Sequence, residues 1–120
     1  MYDEDLANRV RAVIGADHAF SERKMFGGLC LMLGGNMACG IVGNELMVRT
    51  GPERYEDSLA QPYVRPMDFT GRPMTGMVFV GSEALDDEGL ARWIDAAVSF
   101  ATTLPAKAGS TTARRSAKKR

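Results

Sequence analysis

Residues 23–49 read RKMFGGLCLMLGGNMACGIVGNELMVR, and the apolar positions in this stretch constrain the fold more than any other feature. Met25, Leu29, Leu31 and Leu33 share one parity, while Phe26, Cys30 and Met32 share the other. Both faces of a strand over 23–33 are therefore apolar, and such a strand needs cover on each side. In a chain of 120 residues one cover is its own helices. The other is expected to be a partner subunit. The doublet Gly27–Gly28 weakens a strand interior and suggests a bulge or bend. Gly34–Gly35–Asn36 tolerates positive φ and signals a turn. Met37 to Val42 then reads as a return strand, Gly43–Asn44 as the next turn, and ELMVR at 45–49 as a third strand.

The flanking segments complete an α+β pattern. Leu6, Val10, Val13 and Ile14 form one apolar helical stripe, with Asp3, Glu4 and Asp5 in the first turn, where negative charge is favoured. Pro52 opens a short helix carrying Tyr55 and Leu59, and Pro62 ends it. VRPMDFT at 64–70 and MTGMVFV at 74–80 read as a second hairpin. Its prolines, Pro66 and Pro73, place part of it at an edge or a strand end. Ser82 and Asp86 are both candidate N-caps for a last helix. That helix carries Leu90, Ile94, Ala97, Val98 and Ala101 on one stripe, with Trp93 beside it. The expected order is α-β-β-β-α-β-β-α, an antiparallel sheet with helices largely on one face. One domain spans 1–104, and a small, polar, basic tail expected to be disordered spans 105–120.

The glycine-rich stretch does not read as a site. Neither GK[ST] nor GxGxxG occurs, so a phosphate loop is not indicated. Cys30 and Cys39 belong to no CxxC pair, and the single histidine, His18, cannot complete a zinc site without carboxylates. Counted back from a turn at 34–36, the two cysteines nearly face each other, so a disulfide is geometrically conceivable. The simpler reading is two small buried apolar residues kept reduced in the cytoplasm. A thiol-dependent activity is the minor alternative. Carboxylates cluster at 3–5, 53–57 and 86–88, near helix starts, where capping explains them. No catalytic group, cofactor or metal ligand set emerges. The absence of an 18-residue apolar run argues against a membrane span.

The balanced formal charge hides an asymmetry. Residues 1–104 hold nine Lys or Arg against fifteen Asp or Glu, a net of −6. The tail holds Lys107, Arg114, Arg115, Lys118, Lys119 and Arg120 with no acid, a net of +6. Such a tail is a candidate nonspecific nucleic-acid arm, or a solubilising segment. Seven methionines besides Met1, at 25, 32, 37, 47, 67, 74 and 77, lie in or beside expected strands. Methionine fills irregular cores and also recurs at adaptable binding faces. Arg23, Lys24, Arg49, Arg65 and Arg72 either form a positive strip or pair with Glu22, Glu45 and Asp68.

RKMFGG at 23–28, GNMACGIV, ELMVR and GRPMTGMVFV at 71–80, with the Leu90, Trp93 and Ala97 pattern, resemble the N-terminal domain of the competence regulator TfoX. The likeness covers about residues 5–102. It implies an α+β fold like that of type III secretion chaperones, whose members often dimerise, and a link to competence and transcriptional regulation. It carries over no catalytic residues. The matching positions are Arg23, Met25, Phe26, Gly27, Gly28, Gly71, Arg72 and Pro73. Arg23 and Arg72 are the polar ones, and so the candidate contacts. Full-length regulators carry a second, helical domain, where this sequence has the basic tail. The expectation is a non-enzymatic regulatory domain that binds protein, a homodimer with no membrane contact. Nucleic-acid association through the tail is the alternative.

Overall fold

A computed structural model describes residues 2–25, 27–67 and 75–105. Helix α1 spans Glu4–Gly15, and strands β1 (Ser21–Met25), β2 (Gly28–Leu33), β3 (Asn36–Val42) and β4 (Glu45–Arg49) follow. A 3₁₀ turn at Pro52–Arg54 runs into the short helix α2 (Tyr55–Leu59). Strands β5 (Val64–Pro66) and β6 (Met77–Val80) come next, then a second 3₁₀ turn and helix α3 (Asp87–Ala101). The six strands form one antiparallel sheet in the order β1-β2-β3-β4-β6-β5. Pro66 accordingly lies on an edge strand, where its missing N–H interrupts no inner ladder.

The expected α+β class and helix placement hold, with one added strand. The stretch read as a single strand over 23–33 is a hairpin, because Met25 pairs with Gly28. Gly27 takes φ +74, a left-handed value that breaks the strand where the sequence suggested a bulge. The same chemistry closes the next hairpin, where Gly34 and Gly35 take φ +59 and +81. Asn36, grouped with that turn in the sequence, instead begins β3.

Both long helices start on aspartate caps. The Asp3 carboxylate accepts the N–H groups of Asp5 and Leu6. Asp86, rather than Ser82, caps α3 by accepting the Gly89 N–H at 2.8 Å. Each cap satisfies helix donors that would otherwise lack partners. The apolar stripes of α1 and α3 meet one sheet face, where Val10, Ile14, Leu31, Ile41, Leu46, Ile94 and Ala97 are buried. Arg9 ties the helices at their ends by donating to the Leu85 carbonyl at 2.7 Å.

The second sheet face holds another core, built from Cys30, Met32, Met47, Met67, Met77 and Phe79, with Met25, Met37 and Val42 against it. Cys30, Met47 and Met67 are fully buried within the single chain. Burying this face therefore requires no partner subunit, contrary to the sequence expectation. Six methionines gather here, and no residue of α1 or α3 contributes to this cluster. Long unbranched side chains fill a face that those helices do not reach. At its margin the Arg65 guanidinium lies 4.6 Å from the Phe79 ring centroid and pairs with Glu45.

Candidate functional site

The two thiols lie apart. Leu33 pairs with Asn36 and Met32 with Met37, and that register continued would set Cys30 against Cys39. The register instead shifts between Leu31 and Met32, so Cys30 opposes Gly40 and Cys39 opposes Leu31. The extra residue in β3 turns Ala38 and Cys39 both into the helix-side core, whereas Cys30 faces the methionine core. A disulfide between them is excluded by the sheet itself, since their side chains leave opposite faces. Both are free thiols and fully buried. Burial pushes the Cys30 thiol up to about 11. Burial, with a smaller contribution from Cys30, pushes Cys39 up to about 12. A nucleophilic cysteine needs the opposite shift and access to solvent.

The carboxylates act where helix physics places them. Asp3 and Asp86 are caps, Asp87 meets Arg9 at 3.3 Å, and Glu45 receives Arg65. Among the described residues, no group of three or more His, Cys, Asp or Glu is arranged to hold a metal ion. A cavity of about 430 Å3 is lined by Thr50, Gly51, Pro52, Glu53 and Arg54, by Ser99 and Phe100 of α3, and by Thr103 just beyond it. Its two threonine hydroxyls turn to nearby backbone: Thr50 donates to the Gly51 carbonyl at 2.9 Å, and Thr103 to that of Phe100 at 2.6 Å.

Of the motif residues, Arg23, Met25, Gly27 and Gly28 lie at the β1–β2 hairpin. Phe26, Gly71, Arg72, Pro73 and the tail cations Lys107, Arg114, Arg115, Lys118, Lys119 and Arg120 lie outside the described residues. Arg23 is exposed on β1, at the edge opposite β5. Arg49 is elsewhere, 5.3 Å from the Phe100 ring centroid. The basic residues of the strands are thus spread over the sheet rather than gathered into one strip. Glu22 does not serve them: both its oxygens take hydrogen bonds from Arg11 of α1, at 2.6 and 3.1 Å. That hydrogen bond raises the Arg11 pKa above its ordinary value.

Two features escaped the sequence reading. Strand β1 is a free edge, exposed at Ser21, Glu22, Arg23 and Lys24. It was hidden because the hairpin was read as one strand. Tyr63 is 59% exposed and takes φ +66. Its carbonyl is held by the Gly81 N–H at 2.8 Å. A tyrosine carries no sequence signal for a left-handed backbone.

This geometry defines a small α+β sheet domain with insulated thiols and an open charged edge. The family model of the TfoX N-terminal domain matches residues 16–101, from just after α1 to the end of α3, and the chain belongs to that family. No curated protein matches the sequence. Among the described residues no helix is long and apolar enough to cross a membrane.

Proposed function

We propose that this chain is a non-enzymatic regulatory domain of the cytoplasm that works by binding protein, first of all a second copy of itself. Its membership of the TfoX N-terminal family supports a place in competence-related or transcriptional regulation. The observation that carries the reading is the fate of its reactive groups. Both thiols are interred on opposite sheet faces with raised pKa values, while the exposed chemistry belongs to an edge strand. Sedimentation equilibrium of the full chain tests it. A mass near twice 13.0 kDa that falls on dilution is expected. A monomer at every concentration up to the millimolar range contradicts it.

The charge of the tail supports a second reading, association with nucleic acid. Residues 105–120 carry six cations and no acid. Asn36 Nδ2 donates to the Pro105 carbonyl at 2.9 Å, which fixes where this segment leaves the domain. Binding through such an arm is sequence-tolerant and falls steeply with salt. A DNA titration at several salt concentrations, with and without residues 106–120, checks this. Equal binding by the truncated chain would rule out the arm.

A further inference from the structure

We propose that β1 is the self-association edge, and that two copies join it antiparallel about a twofold axis through Arg23, making one continuous sheet. The inference rests on the homodimer reading above and names its surface.

The phase of the backbone leads there. Met25 and Gly28 flank a two-residue connection, so they form a hydrogen-bonded pair, as do Arg23 with Cys30 and Ser21 with Met32. The N–H and C=O groups of Glu22 and Lys24 must then point away from β2, off the open edge. The other edge is blunted. Tyr63 accepts from Gly81 and Met67 donates to Met77, so Val64 and Pro66 turn outward there, and Pro66 has no N–H to offer.

A twofold axis perpendicular to the sheet keeps each side chain on its own face, so residues of equal parity must oppose each other. Centred on Arg23, Glu22 of one copy faces Lys24 of the other, twice. These are the residues whose backbone groups are free to exchange four hydrogen bonds. Their opposite charges meet on the helix side, because Glu22 stands beside Leu31 and Lys24 beside Leu29. Centring on Glu22 or on Lys24 would instead oppose like charges in the hydrogen-bonded pairs. The one unfavourable contact is Arg23 with its copy, on the other face, where two long side chains can splay into water.

Sedimentation velocity on the full chain tests this. Lys24→Glu and Glu22→Lys each oppose like charges and should raise the dissociation constant at least tenfold. An equimolar mixture of the two restores Glu–Lys opposition at every pair and should restore the dimer. Arg23→Thr removes the central repulsion and should tighten the dimer severalfold. Glu22→Lys also loses the Arg11 pair; should it fail to fold, Lys24→Glu and Arg23→Thr, both at exposed positions, carry the test. A dimer that neither Lys24→Glu weakens nor Arg23→Thr strengthens overturns the edge assignment and leaves the homodimer reading standing. A monomeric parent chain overturns both.

Discussion

At Gly27 the backbone sits at φ +74 with open space where a Cβ would project, whereas at Gly28 a Cβ would overlap the Ile41 carbonyl oxygen. The two glycines of the motif therefore answer different needs, one conformational and one spatial. Gly27→Ala should lower stability by about 1 kcal/mol, the strain of a left-handed L-residue. Gly28→Ala should lower it by about 3 kcal/mol or more, since rigid strand backbone must move. Urea denaturation of both variants checks the ranking, and equal losses would contradict it. The thiols give a pH dependence with a definite sign. A cysteine unfolds to an ordinary pKa near 8.5, while the folded values are raised to about 11 and about 12. The unfolded chain thus loses these protons first as pH rises. The stabilisation is complete below about pH 8.5, falls by up to about 1.4 kcal/mol per thiol for each pH unit above it, and is gone beyond the folded values. Denaturation midpoints between pH 8 and 11 should fall more steeply in the parent than in Cys30→Ala/Cys39→Ala. Parallel curves would show that the thiols are not insulated. Thiol burial was legible in the sequence from two isolated cysteines set in an apolar run. The separation of the two side chains was not, because it depends on one extra residue in β3.

Among the elements, the helices were legible and the first strand was not. Leu6, Val10 and Ile14, and Leu90, Ile94 and Ala97, recur at helical spacing, and all six face the core as that spacing requires. The run 23–33 is apolar at both parities on either side of Gly27–Gly28, so its pattern does not show that the chain reverses there. The two-residue turn reverses parity: Met25 pairs with Gly28 and joins Cys30 and Met32 on the methionine face, apart from Leu29, Leu31 and Leu33, with which its sequence spacing grouped it. Sequence left two caps open for α3, and the structure selects Asp86. Asp86→Ala should cost about 1 kcal/mol by removing the acceptor of the Gly89 N–H, while Ser82→Ala, whose side chain makes no cap hydrogen bond, should change little. Thermal melts of the pair decide this, and a larger loss at Ser82 would reverse the assignment. At the entry to β5, Tyr63→Gly should raise stability by about 1 kcal/mol by relieving φ +66. A loss instead would mean that the exposed ring makes a contact worth more than the strain.

For the whole molecule, the two sheet faces divide the labour of packing. One is packed against helices with branched, rotamer-limited side chains; the other gathers methionines, which adapt to an uneven surface. The sequence showed that both faces are apolar. It could not show that a single chain buries the second, because methionines suit a private core and a shared surface equally. With both faces buried, the proposed contact with a second copy falls to the margins of the sheet, where β1 keeps outward N–H groups at Glu22 and Lys24 and β5 is blunted by Pro66. The candidate site was thus half legible: Arg23 stood out as a motif residue, but its place on an open edge required the hairpin. Amide hydrogen exchange at two protein concentrations tests this account most directly, since pairing protects only the amides it engages. Protection at Glu22 and Lys24 should grow with concentration while Val64 stays unchanged. Exchange at Glu22 and Lys24 that is equally fast at both concentrations, in a chain that dimerises, would contradict it.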